Sequence, residues 1–165
     1  MKTPETSDGF ATFYEATRDR VFRAVLLARG GELEGSEDAV ASAYEKAYLR
    51  WHKVSAHPNP VAWVIRTAIN QRISMWRRHR HRDDGSNTAT WPEGSRLDPH
   101  LVELIRRLPQ RQREVLALRV LLDFSTEQTA DTLGMKQGTV KTQLHRALKS
   151  LRLQLATHEA KEVLQ

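Results

Sequence analysis

Cysteine is absent from all 165 residues. That removes disulfides and thiolate metal sites, and it fits a reducing compartment. Aromatic residues make up only 7% of the chain, so a core must be built mostly from aliphatic side chains. Long apolar runs are missing too. None is longer than Ala24 to Ala28, which is far too short to cross a bilayer. Glu15, Arg18, Asp19, Arg20 and Arg23 interrupt the first thirty residues, which leaves no apolar stretch for a signal peptide. The sequence predicts a soluble cytoplasmic protein with no membrane association.

Chemistry-bearing patterns are equally scarce. Seven histidines occur, yet His79 and His81 lie two apart and cannot share a helix face. Neither histidines nor carboxylates show metal-ligand spacing, and no glycine-rich phosphate loop is present. No nucleophile has a plausible base nearby. The expectation is a protein that is not an enzyme, with no cofactor, no metal and no catalytic residues.

Acid is missing from two places, and these are more informative than the net charge of +6. Residues 66–82 hold six arginines (66, 72, 77, 78, 80 and 82) and no carboxylate. Residues 136–152 hold five basic residues and again no acid. Between them, residues 83–98 carry Asp83, Asp84, Glu93 and Asp98 against Arg96. Two basic blocks divided by an acidic stretch fit a polyanion contacted at two places.

The acidic stretch has linker composition: Gly, Ser, Asn and Thr without an apolar period, with Trp91 as its one anomaly. It predicts an all-α protein of two small helical domains, residues 8–82 and 98–153, joined by a flexible linker at 83–97 and followed by a tail at 154–165. In the first, Asp8 is placed to cap a helix carrying Phe10, Phe13, Tyr14, Val21, Val25 and Ala28, stopped by Gly30 and Gly31. Ser36 is read as the start of a second, with Val40, Ala43, Tyr44, Ala47 and Trp51 on one stripe. After a rigid turn at His57-Pro-Asn-Pro60, a third helix runs from Val61 to Arg80, its core stripe Val61, Ile65, Ile69, Ile73 and Trp76. Beside that stripe fall Trp63, Arg66, Asn70, Ser74 and Arg77. An aromatic, an amide and arginines suit a surface that stacks on unpaired bases. A core tryptophan beside a solvated asparagine fits the same pattern.

The second domain opens at Asp98-Pro99, an N-cap followed by proline at the first helical position. Leu101, Leu104, Ile105 and Leu108 form one apolar side. Beyond Pro109, a helix from Arg111 to Leu122 offers Val115, Leu118, Val120 and Leu122. Residues 125–152 then read as two helices joined by a tight turn. Ser125 and Gln128 have capping-box spacing, and Gly134 sits where a helix ends in the left-handed conformation. In the second of these helices Val140, Leu144, Ala147, Leu148 and Leu151 share a stripe. Thr142, His145, Arg146 and Lys149 lie opposite, with Lys141 and Arg152 at the edge. An ordinary solvated helix alternates charge sign, and this one does not. The layout is that of a helix-turn-helix whose second helix enters the DNA major groove.

At this point the order of parts resembles a family: the extracytoplasmic-function sigma factors of bacterial RNA polymerase, closest to the actinobacterial SigE-like subgroup. Leu108-Pro-Gln-Arg-Gln-Arg-Glu-Val-Leu-Ala-Leu-Arg119 is similar to the opening of that family's fourth region, and Gly134 through Lys149 to its recognition-helix signature. Ser36 through Val40, Ala47 through Trp51, Pro60 through Trp63, Arg66 and Asn70 match its second region. The resemblance implies promoter-specific transcription initiation. The expected partners are core RNA polymerase (the clamp helices of the largest subunit and the flap), promoter DNA in duplex and single-stranded form, and an anti-sigma factor. By position, Lys136, Thr139, Lys141, Thr142, His145, Arg146 and Lys149 would meet the minus-thirty-five duplex. Trp63, Arg66, Asn70, Arg77 and Arg78, with the loop from Lys53 to Pro60, would handle the minus-ten strand. Asp38, Ala41, Ser42, Glu45 and Lys46 would engage core polymerase. The sequence departs from the family where an amide and an acid are usual, at Ala41 and Ser42, and at Ile69 and Lys136. A helix-turn-helix regulator acting without polymerase, and a sigma-fold interaction protein that has lost promoter opening, are the alternatives.

Overall fold

The computed structural model describes residues 4–79 and 98–163, with side chains described for 8–71, 98–161 and 163. Proline is preorganised for the first helical position, and α1 starts at Pro4 and runs to Ala28. Asp8 therefore lies inside the helix instead of capping it; its carbonyl accepts from the Thr12 hydroxyl at 3.0 Å. Gly30 and Gly31 end α1 at φ of 72° and 86°, which a side chain adopts only at a cost. Helix α2, Leu33–Leu49, begins three residues before the expected Ser36. That serine is fully buried in the first turn, its hydroxyl donating to the Glu32 carbonyl at 2.5 Å. A serine can bond back along a helix as well as cap one. A four-residue helix α3, Trp51–Val54, follows the break at Arg50.

Helix α4, Pro60–His79, is capped by Asn59, whose Oδ1 accepts from the Ala62 amide at 3.1 Å. Proline at the first position and an amide cap together explain why the turn is sharp. Val61, Val64, Ile65 and Ala68 bury their side chains against α2, and full burial of Ile65 alone contributes roughly 2–3 kcal/mol. Phe10, Phe13, Tyr14, Tyr44, Tyr48 and Trp51 form a ring cluster across α1, α2 and α3, with neighbouring centroids 4.9–6.1 Å apart.

In the second half, Asp98 caps α5, Pro99–Arg106, through the His100 amide. The expected single helix from Arg111 to Leu122 is two pieces. Helix α6, Gln110–Leu116, passes into a π-helical turn, Ala117–Leu121, in which the Leu122 amide donates to the Ala117 carbonyl. The extra residue per turn shifts the phase. Val120, expected on the apolar side, is consequently 60% exposed, while Leu122 and Phe124 are buried. Helix α7, Thr126–Leu133, carries both halves of the capping box at Ser125 and Gln128 and ends at Gly134 with φ 64°. Helix α8 spans Gln137–Val163. The residues set apart as a tail from 154 continue that helix, because Leu151 is buried and the His158 ring lies 3.9 Å from His100 of α5.

The two halves are not separate beads. One apolar cluster runs from Val21, Val25, Ala43 and Ile65 through Ile105, Val115 and Leu118 to Val140 and Leu151. Helix α1 packs on α6 and on the π turn, and α4 packs on α7. Arg113 pins this junction: its Nε donates to the Ala28 carbonyl across the halves at 3.2 Å, and Nη1 donates to the Leu108 carbonyl at 2.6 Å. The sequence predicts two helical domains and is silent on whether they touch; in this structure they pack on each other. Linker composition reports only on the linker, whereas the packing is decided by apolar faces outside it.

Candidate nucleic-acid interface

Helix α8 separates its faces cleanly. Val140 and Ala147 are fully buried, Leu151 nearly so, and Leu144 and Leu148 partly. Thr139, Lys141, Thr142, His145, Arg146 and Lys149 are all exposed, and Lys136 is exposed just before the helix starts. The Thr142 hydroxyl donates back to the Gly138 carbonyl at 3.0 Å. Among the described residues no carboxylate pairs with Lys141, His145, Arg146 or Lys149. On α5 and α6, by contrast, Arg106 and Arg107 pair with Glu103, and Arg111 pairs with the fully buried Glu114 at 3.0 Å. Unpaired cations on one helix face are what phosphate binding needs, since a carboxylate partner would have to be displaced first.

The second candidate surface is built on α4 and the turn before it. Trp63 is partly buried against the core and also lines a cavity of about 500 Å³. The two readings of Trp63 thus describe one residue, which packs on the core and also lines the cavity. Arg66 and Asn70 are exposed on the same wall with His57, Pro58, Asn59 and Thr67. Among the described residues no carboxylate pairs with Arg66. The Asn59 amide donates to His57 Nδ1 at 3.0 Å, which holds the turn in place. Three residues on the facing wall, Gln128, Asp131 and Thr132 of α7, had no place in the sequence-based site, because nothing in local spacing brings α7 to α4. The side chains of Arg72, Arg77 and Arg78, and all of Trp91, lie outside the described residues.

A third group lies on α2. Asp38, Ala41, Glu45 and Lys46 are exposed, and the 3- and 4-residue steps from 38 to 41, 42 and 45 keep them on one face. Ser42 is half-buried, its hydroxyl accepting from Gln71 Nε2 at 2.9 Å, so it ties α2 to α4. Leu49, four residues beyond Glu45, is 62% exposed and extends this face. It was missed because alone it looks like an ordinary helix-terminal leucine.

A family model described as Sigma-70, region 4 matches residues 100–151. The RNA polymerase sigma-E factor of Streptomyces coelicolor is 32% identical over 130 residues, covering 75% of this chain and 73% of that protein. The chain belongs to the extracytoplasmic-function sigma factors. The same organism's ECF RNA polymerase sigma factor BldN is 27% identical over 158 residues, 88% of this chain and 60% of its own. In three dimensions, this sigma factor shares its fold with the sigma factor RpoE of Bartonella quintana, solved in complex with the anti-sigma factor NepR. The TM-score is 0.69 at 23% identity, over 88% of this chain and 97% of the other. A similarity 130 residues long reaches well beyond the helix-turn-helix half, so a free-standing regulator does not account for it. Nor do the relatives' names support an interaction protein that has left transcription.

Proposed function

We propose that this sigma factor divides a promoter between its two basic surfaces. The α8 face reads the minus-thirty-five duplex, and the α4 face with its preceding turn captures the minus-ten strand once it is unpaired. The observation that carries this reading is the contrast between the surfaces. Helix α8 presents Lys141, His145, Arg146 and Lys149 unpaired on a convex helix face, the shape that enters a major groove. The α4 wall instead combines an aromatic side chain, an amide and an arginine beside a cavity, which suits a flipped base more than a base-pair edge.

In the same reading, Asp38, Ala41, Ser42, Glu45 and Lys46 with Leu49 dock on the clamp helices of the largest polymerase subunit, while the helix-turn-helix half meets the flap. Residues 8–82 and 98–153 are the two functional units. The neutral Ala41 and half-buried Ser42 shift the weight of that docking to Asp38, Glu45 and Leu49. An anti-sigma protein is the expected negative partner, as for the sigma factor RpoE in its solved complex. No helix among the described residues is long and apolar enough to cross a membrane, and the work proposed places the protein in the cytoplasm with the chromosome. It needs no cofactor and performs no catalytic step of its own; chemistry stays with the polymerase. Co-purification with core polymerase and run-off transcription from a selected promoter test the reading. Duplex binding without either would sink it.

A further inference from the structure

The solvent face of α8 changes chemistry along its length. Up to Lys149 it is polar and basic. Beyond that residue, in alternating steps of four and three along the same face, come Leu153, Ala156, Ala160 and Val163. All four are exposed, Leu153 at 61% and Val163 at 85%. By helical phase they point away from Val140, Ala147 and Leu151, which hold α8 to the core. The His158 ring, 3.9 Å from His100, fastens this end of α8 to α5, so the apolar stripe is carried on a fixed support. We infer that this stripe is the seam of a transient homodimer, in which α8 pairs antiparallel with α8 of a second copy of the chain.

The spacing is that of the two seam places of a heptad, and the stripe complements itself. Centred between Ala156 and Ala160, the antiparallel pair sets each Ala156 against Ala160 of the second copy and each Leu153 against Val163. Small side chains meet at the centre, which lets the helix axes approach to about 8 Å, and large ones meet at the ends. Charge decides the direction. Parallel pairing would bring Arg146, Lys149 and Arg152 alongside their own copies, like charge against like. Antiparallel pairing carries these residues to opposite ends. It also places Arg152 on the same flank of the seam as Glu159 of the second copy, and two-fold symmetry makes that contact twice. Both side chains are exposed, and among the described residues neither has an ion-pair partner. Thr157, beside the seam, is satisfied within its own helix, its hydroxyl donating to the Leu153 carbonyl at 2.8 Å.

Size sets the strength of the pair. From Leu153 to Val163 the seam is about 15 Å long at 1.5 Å per residue. Four apolar side chains from each copy bury less than the roughly 1,000 Å² of a stable interface. The pair therefore forms and dissolves readily, which leaves each copy free to exchange its twin for polymerase or DNA.

The absence of cysteine makes the test direct. Ala156→Cys and Ala160→Cys, both at exposed positions, are made in separate full-length chains, one of them tagged. Each chain alone and an equimolar mixture are oxidised with copper phenanthroline, and disulfide-linked dimer is read on a non-reducing gel. The expected result is roughly fivefold more dimer from the mixture than from either chain alone, because only the mixture brings the sulfurs into bonding geometry. Adding Arg152→Glu to both chains should reduce the yield, and adding Glu159→Arg to those same chains should restore it. Equal yields from the mixture and the single chains mean random collision and overturn the inference. A higher yield from Ala156→Cys alone means parallel pairing and overturns it too. Leu153→Glu separates the second copy from other occupants. At a side chain 61% exposed the urea midpoint should hold, the cross-link should be lost, and co-sedimentation with core polymerase should be unchanged. Cross-linking that survives Leu153→Glu places the contact elsewhere, and loss of core polymerase binding gives the face to polymerase. Either result overturns the pairing.

Discussion

At Tyr44 two effects oppose each other. Burial pushes the phenol up, its hydrogen bond with the Thr17 hydroxyl at 2.8 Å pulls it down, and burial wins, leaving it at about 12. In the unfolded chain the phenol ionises near 10. The unfolded state therefore sheds its proton first, and stability present below pH 10 is lost as pH rises toward 12. The loss is on the order of 2 kcal/mol, and Tyr44→Phe should remove that part of the alkaline decline in a urea-midpoint series from pH 9 to 12. Arg146 and Lys149 test a different residue-scale claim. Arg146→Ala should relax minus-thirty-five base preference by about 1–3 kcal/mol in competition binding. Lys149→Ala should weaken all duplexes alike and flatten the salt slope by about one counterion. Equal effects from both would deny that either reads a base. These surface residues were legible in the sequence because a helix face without acid is visible at 3.6-residue spacing. Glu114 was not: nothing local announces that a carboxylate directly preceding an apolar run is fully buried, with Gln110 and Arg111 folded over it.

Among the elements, α7 follows the sequence most closely, because its signals are local. Ser125 accepts from the Gln128 amide at 3.0 Å, the Gln128 side chain accepts from the Ser125 amide at 2.9 Å, and Gly134 is left-handed. Ser125→Ala should cost about 1 kcal/mol of folding stability. Gly134→Ala should cost about 1–2 kcal/mol from backbone conformation alone, since no atom lies within 4 Å of the added Cβ. Both are checked by denaturant midpoints at constant m value. An unchanged midpoint for Gly134→Ala would mean the turn can relax out of the left-handed region. The π turn at Ala117–Leu121 was illegible for the opposite reason. It satisfies two apolar surfaces at once, α1 on one side and α7 on the other, and a periodicity search at fixed 3.6 spacing cannot register a phase shift. Its consequence is the misplacement of Val120.

For the whole molecule, the all-helical class and the two basic blocks could be read from composition and spacing, and relatedness to sigma factors bears out the functional reading. The docking of the halves could not be read. Its best-defined polar link joins Ala28 to Arg113, 85 positions apart, and its apolar part mixes residues that each half would also need for its own core. The π turn and the α1 surface belong to different halves and share an interface that no local spacing announces.

The central claim is that one surface addresses the duplex and another captures the opened strand. Permanganate reactivity of unpaired thymines, on a promoter fragment selected with the wild-type holoenzyme, tests it most directly. With Trp63→Ala the expected result is holoenzyme that still binds the fragment but leaves the minus-ten thymines unreactive. With Arg146→Ala the expected result is weaker binding and normal reactivity on whatever fragment is bound. If both substitutions reduce binding and reactivity in the same proportion, the division of labour between α4 and α8 is contradicted.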